Sequence, residues 1–240
     1  MKNFKQLIYL ILVILINCRN DESPSATNNP PNPEQGEDLS QYIYKGCNGF
    51  VEFNSNDKSF LLYLRSIGVD KNGDTKISCS EAQAVTEIDF GDRGAVSNIE
   101  GIEAFSNLKK ISGAIKYPSN GNKTVLNLYN NNKLEEIDFS NYIITGTNGG
   151  LTTVANGAIH TIVLPNMSTL KKMTITHSYF EDLKNTQKQV NLEYLNLDNA
   201  GVKGNLDLSN CNKLIEIDLS RNILLNNIIF SYYSFHINTL

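Results

Sequence analysis

The chain has 240 residues, of which 40% are hydrophobic and 19% are charged, and its formal net charge is −4. The surplus of acidic residues argues against a nucleic acid partner, since affinity for a phosphate backbone depends on clustered Lys and Arg. The length allows one folded domain with additional segments at its ends.

Residues 1–17 have the features of a secretory signal peptide. Lys2 and Lys5 precede an apolar run over residues 7–16, which is too short to span a bilayer. The run ends in the sequence LINC, with Cys18 as its last residue, and resembles the lipobox of bacterial lipoproteins. That resemblance implies that Cys18 is lipidated and that the protein is held at a membrane through its N-terminal lipid. A plain signal peptide and an uncleaved anchor are the alternatives.

Residues 18–40 form a predicted disordered tether. The segment is rich in Pro, Asn and Ser and contains four of the six prolines in the chain. Proline-rich chain is extended, at ~3.1 Å per residue, so the tether could hold a folded domain several nanometres from a membrane. The acidic pair Asp21 and Glu22 resembles the surface-export signal of Bacteroidetes lipoproteins. This resemblance implies a lipid-anchored protein of the outer membrane at the cell surface, with the periplasmic face as the alternative location.

Residues 41–84 form a predicted helical cap with a loop inside it. Phe60, Leu61 and Leu64 have the spacing of one apolar helix face, and this helix leads into residues 70–81. Oxygen donors recur there at the spacing of an EF-hand loop. The candidate ligands are the side chains of Asp70, Asn72, Asp74, Ser78 and Glu81 and the backbone carbonyl of Lys76. The resemblance implies calcium as a cofactor, and we expect no other.

The loop departs from the EF-hand pattern at Thr75, where the family has glycine because the chain turns with a positive φ. A β-branched residue at that backbone angle is strained. Two interpretations therefore stay open, a calcium-binding loop and a degenerate loop that only caps the following repeats. Outside the cytoplasm, Cys47 and Cys79 could form a disulfide that ties the start of the cap to the loop.

Residues 85–223 contain a repeated apolar pattern, LxxLxL in one-letter code. The copies are Val85/Ile88/Phe90, Leu108/Ile111, Leu134/Ile137/Phe139, Leu170/Met173/Ile175, Leu192/Leu195/Leu197 and Leu214/Ile217/Leu219. The pattern resembles the leucine-rich repeats of bacterial surface proteins, including the internalins. It implies a leucine-rich-repeat solenoid of the α/β class, in which mainly short parallel strands share one concave sheet.

The order of the two motifs adds a second resemblance. The segment DKNGDTKISCSEA is followed by GIEAFSNL, and an EF-hand-like loop before internalin-like repeats resembles an arrangement of Bacteroidetes lipoproteins. The resemblance implies a fold and a location but no ligand, because function on a shared scaffold depends on the site that it carries.

The x positions of each repeat point away from the core and carry acidic and basic pairs that alternate from one copy to the next. In one interpretation the charges neutralise each other between strands and set the register. In the other the face binds a ligand, with Tyr194 and Ile215 as anchors. The candidate face consists of Glu135, Lys171, Lys172, Glu193, Tyr194 and Ile215. An extra strand between Leu134 and Leu170 would separate some of the pairs.

Residues 224–240 form a predicted end segment without an evident polar cap. Its aromatic residues could fold back as a lid or could dock a partner, and the reading frame could also be truncated.

No catalytic motif stands out. His160, His177 and His236 lack Cys, Asp or Glu at metal-ligand spacing, and the sequence has neither a phosphate-binding glycine loop nor a nucleophile elbow. We therefore expect a binding protein rather than an enzyme. The predicted function is a cell-surface or envelope lipoprotein whose solenoid binds a protein or glycan in adhesion or recognition. The alternative is a structural or assembly component that binds another protein of the cell envelope.

Overall fold

The computed structural model describes residues 38–54, 56–91, 96–115, 124–139, 143–145, 151–153, 159–176, 178 and 180–230. The predicted signal peptide, Cys18, most of the predicted tether, His177, His236 and residues 231–240 lie outside the described residues. The chain divides after Gly36, close to the predicted end of the tether.

The N-terminal part contains two short α-helices, α1 (Ser59–Ser66) and α2 (Cys79–Ala84), which flank the predicted loop. Helix α1 buries Phe60 and Leu64, which lie four residues apart and so share one face. The ring of Phe60 packs against three other aromatic rings, with centroids 5.8–6.0 Å apart. Two of these rings, Phe90 and Phe105, belong to the first repeat. The cap and the repeats therefore share one core.

Short 3₁₀ helices and thirteen strands make up the remaining regular structure of the described residues. The 3₁₀ helices are Ser40–Tyr42, Ile102–Ala104 and Thr186–Lys188. The strands are β1 (Glu87–Asp89), β2 (Lys110–Ser112), β3 (Thr124–Asn127), β4 (Glu136–Phe139), β5 (Ile143–Thr145), β6 (Leu151–Thr153), β7 (Ile159–Val163), β8 (Lys172–Ile175), β9 (Asp182–Lys184), β10 (Tyr194–Asn196), β11 (Gly204–Leu208), β12 (Glu216–Asp218) and β13 (Leu225–Phe230). In the described part of the chain, no helix has the length and apolar character needed to cross a membrane.

Six of these strands form one parallel sheet in the order β1-β2-β4-β8-β10-β12. Each strand is one rung of a solenoid. The middle residue of the LxxLxL pattern pairs in register from rung to rung and faces the core. This inward column consists of Ile88, Ile111, Ile137, Met173, Leu195 and Ile217. The first five are buried and Ile217 is half-buried. Strands β1 and β12 both lie at an edge of the sheet, but Ile88 on β1 shares a core with the cap residues Phe60 and Leu64. The parallel solenoid and its consistency with leucine-rich repeats agree with the sequence-based expectation.

Two further parallel ladders, β3-β7-β9 and β11-β13, correct the expectation that the strands share one sheet. They arise where the chain is extended again between rungs. Leu126 pairs with Ile162, which pairs with Leu183, and Leu206 pairs with Ile228. Strand β13 lies within the predicted end segment, so regular pairing continues to residue 230.

The insertion between Leu134 and Leu170 does not add a rung to the main sheet. Strand β4 pairs directly with β8, with Ile137 opposite Met173. Strands β5 and β6 of the intervening chain instead pair with each other as an antiparallel hairpin. The charged pairs of β4 and β8 are therefore not separated by an extra rung, because β5 and β6 pair with each other.

Asparagine side chains connect successive turns. The amide Nδ2 of Asn131 donates to the carbonyls of Ile102 and Phe105, at 2.9 and 3.0 Å. Asn222 does the same for the carbonyls of Leu197 and Leu219, at 2.7 and 2.9 Å. These bonds add a side-chain donor at the bends, where the carbonyls of Ile102 and Leu197 also accept from the N–H groups of Phe105 and Ala200.

Candidate functional site

The outward side chains of the main sheet form the rung face. One outward column, aligned by the strand register, consists of Glu87, Lys110, Glu136, Lys172, Tyr194 and Glu216. A second outward column consists of Asp89, Ser112, Asp138, Thr174, Asn196 and Asp218. Neighbouring parallel strands lie about 4.8 Å apart, so side chains in one column are in reach of each other.

A repeated backbone contact holds the rungs in this alignment. The carbonyl of the residue that precedes each strand accepts two N–H groups from the next rung. For example, the carbonyl of Lys171 accepts from Glu193 at 2.8 Å and Tyr194 at 3.1 Å, and the carbonyl of Glu193 accepts from Ile215 at 2.8 Å and Glu216 at 3.2 Å. The same contact occurs at Thr86, Lys109 and Glu135. The two residues between the first two apolar positions of each copy are therefore fixed on the surface.

The charges of the second, third and fourth rungs neutralise each other. Nζ of Lys171 lies 2.7 Å from Oε2 of Glu135. Oε1 of Glu136 lies between two lysines, 3.3 Å from Nζ of Lys110 and 3.4 Å from Nζ of Lys172. The hydrogen bond to Glu135 raises the pKa of Lys171, and the same bond lowers the pKa of Glu135. Three of the predicted face residues, Glu135, Lys171 and Lys172, are thus engaged with neighbouring rungs.

The fifth and sixth rungs differ from the others. We call Glu193, Tyr194, Ile215 and Glu216 the distal patch. The side chain of Tyr194 is 40% exposed and that of Ile215 is 72% exposed. Within the described residues, neither Glu193 nor Glu216 has a cation at ion-pair distance, although Glu193 acts on Lys171 through space and helps to raise the pKa of that lysine. Two carboxylates and two apolar groups are therefore open to solvent here.

Glu216 was missing from the predicted face residues. It lies in register with Tyr194, one rung away. The fifth and sixth copies repeat without insertion, and aligning them places Glu216 opposite Tyr194. The repeat pattern by itself places Glu216 at an outward position of the sixth copy, although it was not chosen as a candidate face residue.

The predicted calcium ligands lie in one turn between the two helices. The carboxylate of Asp70 accepts from the N–H groups of Gly73 and Thr75, at 2.8 and 3.0 Å. Oδ1 of Asp74 accepts from the N–H of Lys76 at 2.9 Å. Oε1 and Oε2 of Glu81 accept from the N–H groups of Lys71 and Ser78, at 2.7 and 2.8 Å. The carboxylates thus bind loop amides.

The loop has the oxygen donors that calcium prefers, but its carboxylates do not converge on one point. Thr75 adopts a φ of +71°, the left-handed conformation that this position needs, despite its β-branched side chain. Ser78 and Glu81 form a capping box at the start of α2. However, across the described segments no three His, Cys, Asp or Glu side chains come together as a metal site, and Nε of Arg65 lies 3.6 Å from Oδ2 of Asp70.

The loop pairs with a segment of the cap that sequence reasoning did not assign. Phe50 forms an antiparallel bridge with Ser78, and the N–H of Val51 donates to the carbonyl of Ile77 at 2.8 Å. A disulfide joins Cys47 to Cys79, with Cα atoms 5.7 Å apart. The loop is therefore held on one side by this segment and on the other by α2.

His160 lies on the second parallel ladder, away from the rung face. Its Nε2 is 2.7 Å from Oε2 of Glu181, whose other oxygen is 2.5 Å from Nζ of Lys203. These contacts lower the pKa of Glu181, with Lys203 as the larger cause. The absence of an enzymatic activity remains a prediction.

Comparisons with known proteins leave the family open. No protein-family model matches the chain, and no curated protein matches it. One of the solved structures that resemble it is an internalin from Listeria monocytogenes, with 16% sequence identity over 72% of this chain and 68% of that chain. The TM-score of this pair is 0.22, which is too low to support a conclusion about fold or function. The strand pairing by itself shows a parallel solenoid.

Proposed function

We propose that this protein is a lipoprotein of the cell surface that uses the distal end of its rung face to bind a protein or a glycan, in adhesion or recognition. Its lipid would be attached at Cys18, and residues 18–40 would carry the solenoid away from the membrane. No catalytic step is part of this proposal.

The binding role is supported by a difference between the two ends of the rung face. Paired charges on the earlier rungs give way to exposed aromatic and apolar side chains on the last two. On β2, β4 and β8 the charged side chains satisfy each other, and such exposed pairs contribute mainly to register. On β10 the aromatic Tyr194 is exposed, and just before β12 the branched apolar Ile215 is exposed, each next to a carboxylate. Exposed aromatic residues at the centre of a polar surface are typical anchors of interfaces.

The location is tested by protease shaving of intact cells that express the protein, with acyl labelling of Cys18 read from the same sample. Acyl-labelled protein that is cleaved on intact cells is the expected result. A Cys18→Ser variant should lose the label and the membrane fraction while keeping the folded domain. Labelled but protected protein would favour the alternative, a component that binds an envelope partner, and unlabelled wild-type protein would contradict the lipid anchor.

We also propose that the loop from Asp70 to Glu81 binds calcium. Asp70, Asn72, Asp74, Ser78 and Glu81 would supply side-chain oxygens, and Lys76 would supply its carbonyl. The ion would stabilise the turn between the helices.

A further inference from the structure

We propose that the distal patch recognises a cationic protein segment in which an Arg or Lys lies next to an apolar residue. This inference rests on the proposed binding function and names the chemistry of its partner. Glu193, Tyr194, Ile215 and Glu216 are the residues that would contact it.

The charge of the patch selects a cation. Lysines from adjacent rungs lie beside Glu135 and Glu136, but no strand beyond β12 supplies a cation to Glu216 within the described residues. Asp218, next in the second column, adds another carboxylate on the same rung. The nearby guanidinium of Arg221 already forms a hydrogen bond and ion pair with Asp198. A partner that brings a positive charge would complete the alternation that the earlier rungs show.

The register places the two recognition elements within reach of one side chain. Tyr194 and Glu216 are paired across adjacent strands, which are about 4.8 Å apart. A guanidinium can stack on an aromatic ring while it donates to a carboxylate at the ring edge. Tyr194 and Glu216 together offer that combination.

The exposed side chain of Ile215 favours a partner that also has an apolar residue. Its N–H donates to the carbonyl of Glu193, so these two residues are fixed side by side, and the Ile215 side chain is 72% exposed. Contact with a partner's apolar side chain would remove this surface from water. An anionic glycan would be repelled by the carboxylates, and a neutral glycan would leave them without a charged partner. A protein segment is the ligand class that uses all four side chains.

The test measures binding of the full chain to a synthetic peptide of alternating Arg and Leu, immobilised at high density on a surface. One matched peptide has Gln for every Arg, and another has Ser for every Leu. We expect both matched peptides to bind at least about fivefold more weakly than the parent. Raising the salt concentration should weaken the parent peptide most, because exposed charges are screened.

Variants locate the site. Tyr194→Ala and Glu216→Gln should each weaken binding about five- to tenfold, whereas Tyr194→Phe should retain most of it because the ring remains. Glu87→Gln is the matched control. This substitution removes the same charge as Glu216→Gln, and Glu87 lies at the opposite end of the same column. Equal losses in Glu87→Gln and Glu216→Gln, or equal binding of the Gln peptide, would overturn the cationic partner.

A parallel selection separates this inference from the proposed function. A random peptide library is panned on the full chain, and the selected peptides are tested against Tyr194→Ala. Selected peptides without basic residues that depend on Tyr194 would refute the cationic partner and retain the binding face. If none of the selected peptides depends on the rung face, the proposed binding face is wrong as well.

Discussion

Lys171 and Glu135 face each other on adjacent rungs, with Nζ and Oε2 2.7 Å apart, although 36 residues separate them in the chain. The contact exists because β4 and β8 are direct neighbours, while the strands described between them, β5, β6 and β7, belong to other sheets. The solenoid thus keeps its charge alternation across an irregular insertion.

Reversal of one charge in this pair should weaken the fold slightly. Glu135→Lys would place its new cation beside Lys171 and Lys109, and we expect the melting temperature to fall by roughly 1–3 °C. The double variant Glu135→Lys with Lys171→Glu should recover most of the loss, measured by circular dichroism at low salt. High salt should reduce the difference. Equal loss in the single and double variants would show that the pair does not set the register.

The disulfide should stabilise the cap more than the repeats. Cys47 and Cys79 close a loop with a sequence separation of 32, so replacing both with Ser should cost about 3–4 kcal/mol in the chain-entropy account. Urea unfolding measures this loss. Hydrogen exchange should be faster in the variant at the backbone amide of position 79, which in the wild type donates to the carbonyl of Gly49. The amide of Glu193 at the fifth rung should change little.

The accessibility of the cysteines to alkylation tests the disulfide independently, with the free Cys211 as an internal reference. Its thiol is buried, and burial raises its pKa to about 11. In a Cys18→Ser background, native protein should therefore show almost no alkylation at neutral pH. Rapid alkylation of Cys47 or Cys79 without reductant would contradict the disulfide.

Calcium should raise the thermal stability of the cap if the proposed loop site is correct. Glu81→Gln should remove that increase, because it takes away a charged bidentate ligand. Gln still supports a capping box, so the variant should retain α2 without calcium. Glu52→Gln, an exposed change in the same cap, is the control. Stabilisation of Glu81→Gln and of the wild type to the same extent would reject this site.

The pKa of Glu103 predicts a pH dependence of stability. Burial raises this pKa, although the N–H of Gly101 donates to the carboxylate and Asn127 also forms a hydrogen bond with it. Because the folded pKa exceeds the unfolded one, the protonated form favours folding. The contribution of Glu103 to the free energy of unfolding is complete below the ordinary glutamate pKa. It is lost as the pH rises through the pKa of the folded state.

Glu103→Gln should therefore be more stable than the wild type at neutral pH and should show a smaller loss of stability as the pH rises. Urea midpoints between about pH 4 and pH 7 measure this difference. Glu52→Gln should follow the wild type. Parallel profiles for the wild type and Glu103→Gln would contradict a raised pKa for Glu103.

Stacked repeats could be predicted from the local pattern, and the resemblance to leucine-rich repeats implied their parallel strands. The inward column from Ile88 to Ile217 follows from the LxxLxL spacing, because strand alternation sends the middle residue of each copy to the core. Tyr194 and Ile215 were also identified as exposed residues among charges, since their positions in the repeat are fixed by the same alternation.

The tertiary structure decided which copies are neighbours and which charges meet. Strands β5 (Ile143–Thr145) and β6 (Leu151–Thr153) belong to no repeat copy, so the pattern could not tell whether they add a rung or, as observed, pair with each other. The bridge between Phe50 and Ser78 likewise joins segments 28 residues apart without a shared motif. Repeat spacing determines how each turn faces the core, whereas contacts between distant segments depend on packing that local periodicity does not encode.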